Sequence, residues 1–211
     1  MPPTNQSDLP QQRRIVVGIS GASGAQYAAR LVEQLLLANT EVHLVATDFG
    51  KRLLADELKI TTLNLNTLCP SLASHNDHTT YESNLIIHPN KDVGALIASG
   101  SFLHDGMVVI PCSSTSLGSI ATGSGNNLLT RAAAVTLKER RKLILVHRET
   151  PLSLIDIENM RTITLAGGII CPANPGLYLN PQSINDLIDF IVAKALDLLD
   201  IKHNLATRWQ G

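Results

Sequence analysis

Short apolar runs alternate along this chain with longer stretches in which apolar residues recur every three or four positions. The run at 14–19 (RIVVGI) reads as a buried strand and 20–24 as a turn of small residues. Residues 25–37 read as a helix, with Tyr27, Leu31 and Leu35 at four-residue spacing. Further strands are predicted at 41–47 (EVHLVAT), 85–88, 107–111 (MVVIP), 142–147 (KLILVH) and 168–171 (GIIC). Helices are predicted at 49–58, at 128–140 and at 151–165, where Pro151 stands near the start and is tolerated. A last helix at 181–199 carries Ile184, Leu187, Ile188, Ile191, Val192, Ala195 and Leu198 on one stripe. Residues 61–82 are polar, Asn- and Thr-rich and poorly periodic, which predicts a surface excursion with a short helix. Residues 93–97 read as a helical turn leading into 98–101 (ASGS).

Strand and helix thus alternate from end to end, which predicts an α/β fold with a doubly wound parallel sheet flanked by helices. A polar tail at 1–12, expected to be disordered, precedes a single domain at 13–211, without repeat or linker. Composition sharpens this picture. Hydrophobic residues are 44% and aromatics 3%, so the core rests on Leu, Ile, Val and Ala, as a sheet buried on both faces requires. A net charge of −1 argues against wholesale nucleic-acid binding. Cys69, Cys112 and Cys171 form no CxxC pair, and three free thiols in a reducing cytoplasm are expected. The first residues carry no apolar signal segment, and no run approaches the ~18 residues of a membrane helix.

In doubly wound sheets ligands bind beyond the carboxyl ends of the strands, so the loops there carry the chemistry. The first loop spaces Gly18, Gly21 and Gly24 three apart, whereas a dinucleotide fingerprint would place glycine at 20 and 23, where serines stand. That favours a mononucleotide over NAD, although a tight turn packing a helix on a strand explains the glycines about as well. The loop after 107–111 reads Cys112-Ser113-Ser114-Thr115-Ser116; four hydroxyls exceed what one helix cap needs and suit an anion. Arg131 and Lys138 stand seven apart and share a helix face, and Ala132, Ala133 and Ala134 leave its flank slim enough for close subunit contact. Arg148 and Glu149 follow a strand directly, a place where a guanidinium suits a phosphate and a carboxylate can move protons; a surface ion pair is the plainer alternative. Prolines and Gly176 stiffen the segment that carries Tyr178. His147 at a strand end reads as a packed histidine. The histidines show no metal-ligand spacing and no GxSxG elbow is present, so neither a metal site nor a serine hydrolase is indicated.

The segments GISGASGAQYAARL, ASGSF, PCSSTSLGSIATG, NNLLTRAAAVTLKERRKLILVHRETPLS, ENM and PGLYLNPQSINDLIDFIVAKALDLL together resemble the UbiX-type flavin prenyltransferases, from about Arg14 to Trp209. The resemblance implies a Rossmann-like or flavodoxin-like domain and reduced FMN bound as a substrate. It implies dimethylallyl phosphate as the second substrate, no metal, and a homododecamer with sites at subunit contacts. The product would be prenylated FMN, joined at N5 and C6, for UbiD-type decarboxylases such as those of ubiquinone synthesis. By position, Gly21, Ala22, Ser23, Thr47, Ser113, Ser114, Thr115, Ser116 and Arg148 would hold FMN. Ser99, Arg131, Lys138, Tyr178 and Lys194 would surround the dimethylallyl phosphate. Glu149 and Glu57 would be the acid–base carboxylates, Glu57 acting with Ser23 on the N5 proton. Lys194 replaces the family's usual arginine, and Val93 stands near where some relatives carry tryptophan. Two other readings remain at this point: an FMN-dependent decarboxylase of an aromatic or cysteinyl acid, and a non-catalytic FMN carrier serving a decarboxylase.

Overall fold

The computed structural model describes residues 12–205. All of the tail expected at 1–12 except Gln12, and the end of the domain beyond residue 205, lie outside the described residues. Six strands form one sheet: β1 (Arg14–Ile19), β2 (Glu41–Ala46), β3 (Leu85–His88), β4 (Gly106–Cys112), β5 (Leu143–His147) and β6 (Ile169–Ile170). Their order is β3-β2-β1-β4-β5-β6, and every neighbouring pair is parallel. This is the Rossmann order. Its direction reverses between β1 and β4, and the crevice at that switch point is where such folds bind ligands.

Successive strand residues point to opposite faces, and here both faces are covered. Ile15, Val17 and Ile19 of β1, with Val108, Ile110, Ile144 and Val146, pack under α1 (Ala25–Leu37), α2 (Asp48–Leu58) and the last helix, Ile184–Leu198. Val16, Met107, Val109, Leu143 and Leu145 face the other way. They meet α6 (Ser114–Ala121), α7 (Leu128–Lys138) and α8 (Leu154–Leu165). This double burial is why the strands read as continuous Val/Ile/Leu runs instead of alternating with polar residues.

Several elements depart from the sequence reading. The polar stretch 61–82 holds three short helices, α3 (Leu65–Leu68), α4 (Pro70–Ala73) and α5 (His78–Ser83). It is not a mere excursion, because Leu65, Leu68, Cys69 and Leu72 join the main core. The segment 112–116 is mostly helical, since α6 starts at Ser114 with Ser113 as its cap. Pro151 does not begin α8. The helix starts three residues later, where Ser153 and Asp156 form a reciprocal capping box. Ser183 and Asp186 do the same for the final helix, α9 (Ile184–Leu198), which is therefore shorter than 181–199. Strand β6 has only two residues. Ala132 and Ala133 are buried in the chain's own core beneath α7, while Ala134 is half-buried.

Candidate active site

The loops after β1 and β4 flank the switch point, and Ser20 stitches them together. Its hydroxyl donates to the Pro111 carbonyl at 3.0 Å and accepts from the Ser113 amide at 2.8 Å, and its own amide reaches Pro111 O at 3.2 Å. Ser20 is fully buried and was not among the residues singled out from the sequence; its place at the end of β1, inside the small-residue turn, was the available signal. Ser113 caps α6, accepting from the Ser116 amide at 3.2 Å. One of the four hydroxyls is thus an ordinary cap, while Ser114 and Thr115 lie in the first turn beside it.

The turn that opens α1 is occupied by protein. Gly24 has φ +122°, a conformation that favours glycine, and its amide and that of Ala25 donate to the Glu57 carboxylate at 3.1 and 2.8 Å. Glu57, from α2, therefore caps α1 and fills the helix end that could otherwise receive a phosphate. Burial raises its pKa, but the hydrogen bonds from Ser23, Ala25 and Gly24 and the nearby charge of Arg148 outweigh that, and the net shift is downward. Glu57 and Ser23 are thus brought together as expected, with Glu57 ionised at neutral pH. Gly21 packs so tightly on the start of α2 that an added Cβ would fall 2.5 Å from Phe49 Cβ. Phe49 is 74% exposed at the mouth of the crevice and is a second residue the sequence reading passed over. Thr47 spends its hydroxyl capping α2 through the Gly50 amide at 3.0 Å.

Arg148 leaves the end of β5 and reaches this centre. Its charge is felt by Tyr27, Glu57 and His147. Its Nε is buried without a hydrogen-bond partner. A buried guanidinium N–H left unsatisfied is costly unless an anion completes it, so the residues present fit a phosphate-bearing flavin. Glu149, next in the chain, is exposed, and its Oε1 accepts from the Thr150 amide at 3.1 Å. The peptide between Thr150 and Pro151 is cis.

The residues assigned to a second phosphate separate into two groups. Arg131 and Lys138 lie exposed on the outer side of α7, as their spacing required. The loop of Ser99 is pinned to the end of that helix: Arg141 donates to the carbonyls of Gly100 at 2.6 Å and Phe102 at 2.7 Å. Any side chain at 100 would strike Glu139, which pairs with Lys138 at 3.3 Å. Tyr178 and Lys194 belong to the opposite layer. Tyr178 meets Phe190 of α9 edge to face, with centroids 5.9 Å apart. Lys194, exposed on α9, lines a cavity of about 380 Å³ with Ile170, Cys171, Pro172 and Phe190 at the β6 edge. A larger cleft of about 440 Å³ between α1, α4 and α9 lies away from the crevice; its Arg30 is already held by Asp189 and Glu33. Among the described residues no cluster of His, Cys, Asp and Glu is arranged to hold a metal.

The Flavoprotein family model matches residues 3–196. A flavin prenyltransferase UbiX of Halalkalibacterium halodurans is 46% identical over 193 residues, 92% of this chain and 91% of that protein. Among solved structures, AnUbiX in complex with FMN and dimethylallyl pyrophosphate superposes with a TM-score of 0.83 at 38% identity, covering 95% of this chain and 99% of that one. A dodecameric FMN-dependent UbiX-like decarboxylase from Escherichia coli O157:H7 gives 0.81 at 36% identity, covering 94% and 100%.

Proposed function

The chain belongs to the UbiX flavin prenyltransferases of the Flavoprotein family, and from that premise we propose that it transfers a dimethylallyl group from dimethylallyl phosphate to reduced FMN. The observation that carries this reading is the buried, unpartnered Nε of Arg148, whose charge acts on Glu57 and Tyr27. FMN, when bound and reduced, would supply nucleophilic N5 and C6, which bond to two different carbons of the dimethylallyl group and so close a new ring. Gly21, Ala22, Ser23, Thr47, Ser113, Ser114, Thr115, Ser116 and Arg148 line its place. Ser23 gives its hydroxyl hydrogen to Glu57, which leaves the Ser23 oxygen oriented to accept the N5 proton's hydrogen bond. Glu57 acts through Ser23 as an ionised anchor. Glu149, exposed at the carboxyl edge of the sheet, is the acid–base group: as the protonated carboxyl it gives its proton to the departing phosphate, and as the resulting carboxylate it takes up the proton lost from C6.

Arg131, Lys138 and Lys194 supply the positive charge that stabilises that leaving group, in the role a metal ion takes elsewhere. Ser99, Arg131 and Lys138 sit on the α7 layer, Tyr178 and Lys194 on the α9 layer. One chain therefore holds two half-sites, and a homo-oligomer, a dodecamer as in the E. coli relative, places complementary halves together. The apolar outer face of α8, where Leu154, Ile155 and Leu165 are each more than 70% exposed, supports such contacts. The product, prenylated FMN, would serve UbiD-type decarboxylases, including those of ubiquinone synthesis. We place the protein in the cytoplasm, consistent with three unpaired buried cysteines; no helix among the described residues is long and apolar enough to cross a membrane.

Incubation of the protein with reduced FMN and dimethylallyl phosphate, followed by mass spectrometry of the released flavin, tests the reading. Gain of one C5H8 unit is expected. Unchanged flavin, with carbon dioxide released directly from an aromatic acid, would replace this reading with a decarboxylase.

A further inference from the structure

Ser114 is held by two groups that the chemistry above does not use. Its Oγ lies 3.1 Å from His147 Nε2, and it also hydrogen-bonds Asp156. His147, at the end of β5, is 2% exposed, and Asp156, in the first turn of α8, is 7% exposed. Asp156 is committed to the cap of its own helix, accepting from the Ser153 amide at 3.0 Å and the Ser153 hydroxyl at 2.6 Å. These bonds, with that from Ser114, hold its pKa down to about 2, so at neutral pH it is a carboxylate and only accepts.

A hydroxyl has one proton and two acceptor positions. Facing a carboxylate, Ser114 gives its proton to Asp156. The contact with His147 is then a hydrogen bond only if Nε2 carries a proton and donates it to Ser114 Oγ. Burial lowers the pKa of His147, so the ring is neutral at pH 7 and the Nε2–H tautomer is singled out. One lone pair of Ser114 remains for the crevice.

We propose that His147 and Asp156 are positioning residues that fix Ser114 as a hydrogen-bond acceptor toward the crevice, where it receives an N–H or O–H of the flavin or its ribityl chain. Ser114 then cannot donate to a phosphate oxygen, and the phosphate is left to Arg148 and the neighbouring hydroxyls. The ligand half of this inference rests on FMN occupying the crevice; the tautomer half does not.

Two measurements separate the halves. Nitrogen-15 NMR of the histidine-labelled, ligand-free protein, with the His147 signal assigned by its loss in His147→Gln, should show Nε2 protonated; an Nδ1–H tautomer overturns the proposal. FMN titrations of the parent, Ser114→Ala, His147→Leu and the double variant then form a cycle. Each single change should weaken binding about 3- to 10-fold, the range of one neutral hydrogen bond. The double variant should bind no worse than the weaker single one. His147→Gln, whose amide can donate in place of Nε2–H, should stay within about twofold of the parent. Multiplying losses in the double variant would show that His147 does not act through Ser114. A parent that binds no FMN would overturn the flavin reading and the ligand half together, while the NMR result still decides the tautomer.

Discussion

Glu57→Ala removes the carboxylate that closes the first turn of α1. Three donors lose their acceptor: the Gly24 and Ala25 amides, at 3.1 and 2.8 Å, and the Ser23 hydroxyl. Hydrogen bonds to a charged group contribute about 1.5–3 kcal/mol where water cannot replace them. Glu57 is only half-buried, so water recovers part of the loss and the scale for deleting a helix cap, about 0.5–2 kcal/mol, applies. Taking about 1–2 kcal/mol, a chain of this size should lose roughly 2–8 °C in Tm. Glu57→Gln keeps an acceptor oxygen but not the charge, and should lose about half as much, mainly the interaction with the helix dipole. The pH dependence has a definite sign. The folded pKa of Glu57 lies below the ordinary glutamate value of 4.5, so the stabilisation is complete above 4.5 and is lost as pH falls through the folded value. The gap between parent and Glu57→Ala in urea unfolding, at one fixed protein concentration, should be full at about pH 7 and shrink toward about pH 3. Equal stability at neutral pH, or a gap that acid leaves unchanged, would refute the capping role.

Glu149→Gln should leave FMN affinity nearly unchanged and slow prenyl transfer by roughly 10²–10⁴-fold; turnover within about threefold of the parent at saturating substrates would remove Glu149 from proton transfer. Equilibrium titration should find FMN bound more tightly than FAD or NAD, because serines stand where a dinucleotide turn needs glycines at 20 and 23. Lys194→Ala should lower kcat/KM for dimethylallyl phosphate about 10- to 100-fold, the loss of one charged hydrogen bond, while Lys194→Arg retains activity. An alanine variant equal to the parent would make Lys194 a surface lysine with its stem on the β6 edge.

The sheet and its main helices were legible because each strand is buried on both faces and each major helix carries one apolar stripe, local patterns that a linear reading detects. The errors fall where a short-range signal competed with another. Pro151 drew the start of α8 forward, although the Ser153-to-Asp156 spacing of a capping box lay just beyond it. The stretch 61–82 was read as holding one short helix where there are three, because four- and six-residue helices have no period to read; burial of Leu65, Leu68 and Leu72 holds the first two. Within the site, the glycine turn and the serine run could be found from their positions after strands. The role of Ser20 depends on a partner 91 residues away, and that of His147 on one 33 residues away. Glu57 was named from resemblance alone, and only the fold reveals that it caps a helix on which it does not lie.

The same topology accounts for the division of the cations. A doubly wound sheet sends α7 to one face and α9 to the other, each buried there by its own apolar stripe. Lys138 and Lys194 therefore stand on opposite faces of the sheet, and under the proposed function a second chain would bring them to one phosphate. Arg30 shows what a cation does when a neighbour within the chain can neutralise it: Asp189 and Glu33 grip it, and its pKa rises. Arg148 differs, since a buried edge of its guanidinium is left unpaired. An unpaired buried donor costs free energy in the isolated chain, and a bound anion recovers that cost. The proposed function ties catalytic competence to assembly: conditions that dissociate the oligomer without unfolding the chain should abolish prenyl transfer while FMN binding, built from the loops of one chain, survives.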